Sequence, residues 1–494
     1  MPSEHVFREG RVFLRKHCPE CGETEALLSS NQARWQRKRE LCRFDAEALV
    51  RCTLTCETCR RDHHPRMVFV DVTNRCNMNC PICIANIPGM GFEFHPPLSY
   101  FAALFTGLGE LTPRPVVQLF GGEPTVREDL FEIIELARSS GLETRVVTNG
   151  LKLADEEYCK RLCEAKVPVL IAFDGADPEI YERLRKNRGA YQKKLQAIEN
   201  LGKYSRCKNT VMCCVARNIN DRHMRDLIDF CHGRRSFIKC MHLIPLTETW
   251  APGEFETDVA TTTEDVEQIV AAAFPDEKVE FLPAGPADRL KTACKFFGIA
   301  PLRFGGVHPN CETATYMLSD GERYRPISHY LKRSLDDLAA EMMDRAARIE
   351  PRLARLAPDR WLQRTRGRLV ILHAFLPVLA RSVDLRKALK GSRVLAILRI
   401  LGGLLAGGRV KDVVRRHTTV QDGMLMVVLP FEEYHSIEAA RLQDCPSAFA
   451  FLDPDSGRVR TLPVCVWGIY KGDIQRRIMA AHRSATAESA LAAS

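Results

Sequence analysis

Residues 67–85, MVFVDVTNRCNMNCPICIA, decide how the chain is read. The apolar run from Met67 to Thr73 has the composition of a strand buried on both faces, as in parallel sheets. Three cysteines follow at once: Cys76, Cys80 and Cys83. Soft thiolates at this spacing suit iron–sulfur or zinc. Three thiols without a near fourth leave one coordination position for a substrate or cofactor. A zinc knuckle completed by a distant Cys or His is the competing reading.

The same strand-then-helix rhythm continues after this segment. VVQLF (116–120) ends in Gly-Gly-Glu-Pro and a helical stretch, and TRVVTN (144–149) is followed by another. VPVLIAFD (167–174), TVMCCVA (210–216) and FIKCMHLIP (237–245) complete the series. Six apolar strands separated by helices imply an α/β fold, a parallel sheet with right-handed crossovers. Six units fit a partial (β/α)6 barrel better than a closed eightfold one. Chemistry in such sheets belongs to the loops at the C-terminal strand ends, where the cysteine loop, Gly121-Gly122-Glu123-Pro124 and Thr148-Asn149-Gly150 all fall.

The chain has 494 residues, a hydrophobic fraction of 45% and a charged fraction of 27%, values of a globular protein. The N-terminus lacks an apolar stretch of the secretory type, and no run is long enough to span a bilayer, so a cytoplasmic protein is expected. Of its 20 cysteines, nine lie between Cys18 and Cys83 in short spacings. Reduced and clustered, they favour metal over disulfides. Cys159, Cys163, Cys207, Cys213, Cys214, Cys231 and Cys240 fall on helices or strands and read as structural.

The net charge of +9 is concentrated. Residues 346–417 hold seventeen Lys/Arg against four Asp/Glu, among apolar clusters rich in leucine. That pattern suits a membrane interface with anionic headgroups, or an amphipathic helix pair covering the barrel. It gives no support for nucleic-acid binding, since aromatic interleaving is absent.

CxxxCxxC after the first strand, GGEP after the second and TNG after the third resemble the radical S-adenosylmethionine (radical SAM) superfamily over residues 67 to about 250. The resemblance implies that Cys76, Cys80 and Cys83 hold a 4Fe–4S cluster whose fourth iron chelates SAM. It further implies that Gly121, Gly122 and Glu123 receive the methionine amino group, that Ile82 faces the adenine, and that Asn149 and Asp174 contact the ribose or carboxylate. Asp174 also reads as a helix N-cap, although Asp177 is better placed for that. Reductive cleavage of SAM to a 5′-deoxyadenosyl radical, which abstracts hydrogen from unactivated carbon, is the implied chemistry.

Residues 1–65 show little regular periodicity and read as a Cys-rich metal module. Cys18-Pro-Glu-Cys21 is a knuckle for zinc or mononuclear iron, and Cys52, Cys56 and Cys59 repeat the CxxxCxxC spacing; Cys42 would join either group. A zinc-only module is the alternative. Together with the core motifs, this arrangement resembles the group containing tetraether lipid synthase and class D radical SAM methylases. That likeness implies further iron–sulfur clusters, with Cys311, Cys445 and Cys465 as auxiliary ligands and Cys294 a weaker candidate. Only one early CxxC knuckle is present, where members often have two.

The expected organisation is 1–65 metal module, 66–285 core barrel, 286–345 connecting region with auxiliary ligands, 346–420 basic helical segment, 421–480 auxiliary-cluster-like segment and 481–494 disordered tail. The implied activity is hydrogen abstraction on lipid chains with carbon–carbon bond formation. Radical C-methylation of a pterin precursor or another small molecule is the alternative, and a non-catalytic iron–sulfur electron carrier at the membrane is a third reading. An electron donor such as ferredoxin or flavodoxin would serve either enzyme, and peripheral contact with the inner membrane face would fit the basic segment.

Overall fold

The computed structural model describes residues 3–20, 22–43, 65–248, 255, 257, 259–300, 303–433, 435–443 and 445–492, with side chains to 483. Six strands form the expected core: β4 (Met67–Thr73), β5 (Val116–Gly121), β6 (Thr144–Thr148), β7 (Val169–Ala172), β8 (Asn209–Val215) and β9 (Ile238–Pro245). Each pairs in parallel with the next. The crossovers are α2 (Leu98–Glu110), α3 (Leu130–Ser139), α4 (Glu156–Glu164), α5 (Pro178–Arg185) with α6 (Ala190–Tyr204), and α7 (Met224–Gly233). Apolar stripes such as Phe101, Leu104, Phe105 and Leu108 on α2 face Val68, Val70 and Val72 of β4, all buried. The alternate β4 residues, Met67 and Phe69, turn into the barrel.

The N-terminal region is more regular than its sequence suggests. Three antiparallel strands, β1 (Ser3–Arg8), β2 (Arg11–Cys18) and β3 (Gly22–Ser29), are followed by α1 (Gln32–Cys42). The period-2 signal is weak because the outer face carries charge pairs, Arg8–Glu25 and Arg15–Glu25, and β1 is largely exposed. Glu9 and Gly10, both at positive φ, make the tight β1–β2 turn. Lys38 of α1 is wholly buried against Glu264 and Glu267 of α8 (Thr263–Ala272), which anchors the module to the barrel.

Residues 421–480 do not form a separate segment. β13 (Asp422–Val428) pairs in parallel with β9, and β14 (Ser447–Leu452) pairs in parallel with β4 on the opposite edge. The parallel sheet therefore has eight strands, flanked by β10 (Leu282–Pro283), β11 (Thr313–Ser319) and β12 (Tyr324–Pro326) on one side and β15 (Val459–Pro463) on the other. The six-stranded core would leave two bare edges, and the C-terminal strands satisfy both. Between them Met67, Ala284, Phe304, Val307 and Val427 pack together and close the gap.

The connection runs through α9 (Lys291–Phe296), α10 (Leu335–Leu353), α11 (Trp361–Ser382), α12 (Leu385–Ala388), α13 (Arg393–Leu405) and α14 (Val410–His417). Phe296, Ala346, Ile349, Leu353, Ile371 and Phe375 form a second small core among α9, α10 and α11. After α15 (Ala439–Gln443), the chain ends in α16 (Val464–Ala492). The expected disordered tail, 481–494, is thus helical as far as Ala492. Its alanine-rich composition favours continuing a helix once an upstream turn is anchored.

Candidate functional site

The GGEP loop and the cysteine loop are stacked backbone on backbone. Gly122 donates its N–H to Thr73 O at 2.7 Å, and Glu123 donates to Arg75 O at 2.9 Å. A Cβ on Gly121 would stand 2.2 Å from Thr73 O, and one on Gly122 2.3 Å from Arg75 O. Gly121 is also at φ +126°, so side chains are excluded at both positions.

Glu123 is buried and braces the third loop. Its Oε1 accepts from Thr125 N at 3.1 Å and Thr148 Oγ1 at 2.7 Å, and its Oε2 accepts from Asn149 N at 2.6 Å. Burial raises its pKa above the usual carboxylate value, and these donors oppose the rise. Asn149 Nδ2 in turn reaches Asn77 Oδ1 at 2.7 Å and Cys76 Sγ at 3.9 Å. The three motifs are thereby one hydrogen-bonded unit.

Cys76, Cys80, Cys83, Ile82, Gly121, Gly122, Glu123 and Asn149 line a single cavity of about 260 Å³. The three thiols are in no disulfide and lie close enough to affect one another's ionisation. Burial pushes Cys76 up to about 12 and raises Cys80, so a cation is needed to hold them as thiolates. Among the described residues no His, Cys, Asp or Glu cluster is tight enough for a single ion. Thiols sharing a 4Fe–4S cluster bind separate irons and stand farther apart than the ligands of one ion. Three thiols of one loop on one cavity wall are a donor set that suits a cluster with one iron left to another ligand.

Asp174 departs from expectation. It does not line the cavity: both its oxygens hold the Arg185 guanidinium at 2.9 Å, and Oδ1 also accepts from Cys214 N at 3.0 Å. It is not a cap either, since Asp177 caps α5 by accepting from Glu179 N at 2.8 Å. The group presented to the cavity is Arg185, beside Cys80. Sequence reading missed it because an arginine in the last turn of a helix looks like an ordinary solvated charge. Cys214, expected to be structural, also lines the cavity.

The rest of the cavity wall is mostly apolar. Met67, Phe69, Phe120, Met212, Ile244, Leu246, Phe304, Leu429, Phe431, Phe449 and Trp467 surround it, with Gln118, Thr148, His242, Thr247 and Lys471 as polar exceptions. Burial lowers His242 to about 4, so its ring is neutral. α16 forms one wall: Trp467 stacks on Phe449 with ring centroids 4.9 Å apart and 8° between planes. Its indole N–H donates to Asp71 at 2.9 Å, and Lys471 reaches Ala85 O.

Cys311, Cys445 and Cys465 come together around Arg441 and Glu432, although they precede β11, precede β14 and lie in the first turn of α16. Arg441 Nε donates to Cys311 Sγ at 3.3 Å, and burial raises all three thiols. Val464 and Phe431, neighbours of Cys465 and Glu432, line the cavity that also holds Cys76. Cys294 stands apart on α9. Cys18 ends β2 and Cys42 ends α1 beside Lys38 and Arg289. Cys21, Cys52, Cys56 and Cys59 lie outside the described residues.

Residues 70–231 match the model of the radical SAM superfamily, and residues 1–30 match that of the HMPTM N-terminal zinc ribbon domain. Residues 70–231 are thus a radical SAM superfamily domain, and the proteins of that superfamily use a 4Fe–4S cluster with SAM. It is 27% identical over 361 residues to 7,8-dihydro-6-hydroxymethylpterin dimethyltransferase of Methanocaldococcus jannaschii, covering 67% of this chain and 68% of the relative. It is 33% identical over 141 residues to Fe-coproporphyrin III synthase of Methanosarcina barkeri, but covers only 28% of this chain and 34% of that relative. Methylornithine synthase aligns in three dimensions with a TM-score of 0.36 and 13% identity, over 52% of this chain and 72% of that one. Among the described residues, no helix is long and apolar enough to cross a membrane.

Proposed function

We propose that this enzyme forms carbon–carbon bonds at unactivated carbons of lipid alkyl chains. The observation that carries this reading is the cavity, whose walls are apolar from Ile82 beside the cysteines to Phe431 and Val464 beside the second cysteine group. A saturated chain offers nothing to hydrogen-bond. Beyond the loop groups Glu123, Thr148, Asn149 and Arg185, the lining carries few polar side chains, Gln118, a neutral His242, Thr247 and Lys471, against a majority of aliphatic and aromatic ones.

Cys76, Cys80 and Cys83 would hold the cluster, and the Gly121-Gly122 backbone, Glu123 and Arg185 would position SAM. When bound and reduced, that pair supplies hydrogen abstraction from a carbon no side chain of this protein could activate. The protein's own contribution is orientation and exclusion: Asn149 and Glu123 fix the loops, Asp174 fixes Arg185, and the aromatic wall keeps water out. Cys311, Cys445 and Cys465 would hold an auxiliary cluster at the far end. Ferredoxin or flavodoxin would supply electrons.

The relative from M. jannaschii and the matching zinc ribbon favour a second reading, C-methylation of a pterin-like substrate. Incubating the reconstituted enzyme anaerobically with SAM and either membrane lipids or a dihydropterin separates the two. Lipid products with joined chains, absent for Cys76→Ala, are expected. A methylated pterin with unchanged lipids would overturn the lipid reading and leave the second standing.

A further inference from the structure

The helical segment between β12 and β13 buries one side of α11 and leaves the other bare. Gly367, Ile371, Phe375 and Val378 face inward, and a Cβ on Gly367 would stand 2.3 Å from the Phe296 ring. On the opposite side, Leu362, Leu369 and Leu376 recur every seven residues and are all exposed. Arg366 lies in the same stripe, one turn from Leu362 and from Leu369. Trp361, at the start of the helix, is 67% exposed.

α13 repeats the pattern more strongly. Of its thirteen residues, RVLAILRILGGLL, only Ala396 is buried, and Val394 and Leu398 are 70% and 60% exposed. α13 packs against α11 and α14, so the bare faces belong to one subdomain. Residues 360–417 carry fourteen Lys/Arg against two Asp. Arg366, Arg393 and Arg399, interleaved with the exposed leucines, make no ion pair among the described residues.

We propose that this face of α11 and α13 docks on an anionic lipid bilayer, leucines and Trp361 in the acyl boundary and arginines at the headgroups. Charge selects this occupant: a second copy would bring the same positive field against itself, whereas anionic headgroups neutralise it. Exposed arginines within α11, at 364 and 366, keep the helix in the interface plane rather than across the membrane. This docking holds whatever substrate the barrel takes.

The test is flotation of the full-length protein with vesicles of phosphatidylcholine alone or with phosphatidylglycerol, following Trp361 emission in parallel. Binding to the anionic vesicles with a blue shift is expected, and Trp361→Phe should remove the shift without removing binding. Arg366→Gln with Arg399→Gln should weaken binding roughly fivefold for each cation lost. Leu369→Ser with Leu376→Ser and Leu398→Ser should abolish it while iron content stays at the wild-type level. No flotation with anionic vesicles, equal flotation with neutral ones, or a dimer that the leucine variant dissociates would overturn the proposal. Because no turnover is read, failure here leaves the reaction proposed for the barrel untouched.

Discussion

At the scale of single residues, the site depends on places where a side chain is forbidden or a charge is pinned. Gly122 is the sharpest case, because the Arg75 carbonyl occupies the space a Cβ would need. Gly122→Ala must push the cysteine loop away, costing about 1–3 kcal/mol of stability. Iron content and SAM cleavage should fall together; wild-type iron loading would show that the stacking is dispensable. His242 gives a pH signature. Unfolded, it takes a proton near its ordinary value, but folded only near about 4. The unfolded state therefore binds more protons below about pH 6.5, and stability drains as pH falls toward 4, by up to about 3 kcal/mol. Chemical denaturation of His242→Phe between pH 7 and 4 should show a flatter acid limb than the wild type, and an unchanged limb would remove His242 from the account. The cysteines and glycines of the site were legible in sequence because short spacing carries their chemistry. Asp174 and Arg185 were not, since which of two paired charges faces a cavity depends on an α5 packing that no local pattern records.

At the scale of elements, the six core strands were readable because a strand buried on both faces is a continuous apolar run bounded by turns. Their places held to within a few residues, Leu98–Glu110 among the helices included. β13 and β14 are both short apolar strands, yet one joins β9 and the other β4, at opposite edges of the sheet. Such pairings are non-local and leave no local signature. The same limit hid α16, whose first turns look unremarkable until Trp467 is seen lying on Phe449 and donating to buried Asp71. Trp467→Phe keeps most of the stacking but removes one of the two donors to Asp71 Oδ2, leaving Gln475, for a loss of about 1–2 kcal/mol. Trp467→Ala also opens the cavity wall and should cost about 3–5 kcal/mol. Thermal melts of the two variants should fall in that order; equal melting temperatures would mean that α16 does not seal the barrel.

At the scale of the whole molecule, the catalytic core is not a free-standing domain, despite matching a family model over 70–231. Its two edges, β4 and β9, are completed by strands more than 170 residues further along the chain, Ser447–Leu452 and Asp422–Val428. Its floor borrows Phe304, Leu429 and Phe449, and α1 is tied to α8 by Lys38 buried between two glutamates. A fragment spanning 66–285 would expose both sheet edges together with the apolar barrel interior, the combination that drives strand-to-strand aggregation. That fragment should be recovered in aggregates or without a cooperative melt. The full chain lacking only α11 to α14, with α10 and β13 joined by a short linker, should keep the barrel closed. Size-exclusion chromatography and circular dichroism melts compare the two directly. A monomeric, cooperatively melting 66–285 fragment would mean that the C-terminal strands decorate the barrel and do not complete it. Closure by distant strands also explains why Phe431 and Val464, chain neighbours of Glu432 and Cys465, border the chamber that holds Cys76, since the segments that seal the barrel also carry Cys445 and Cys465.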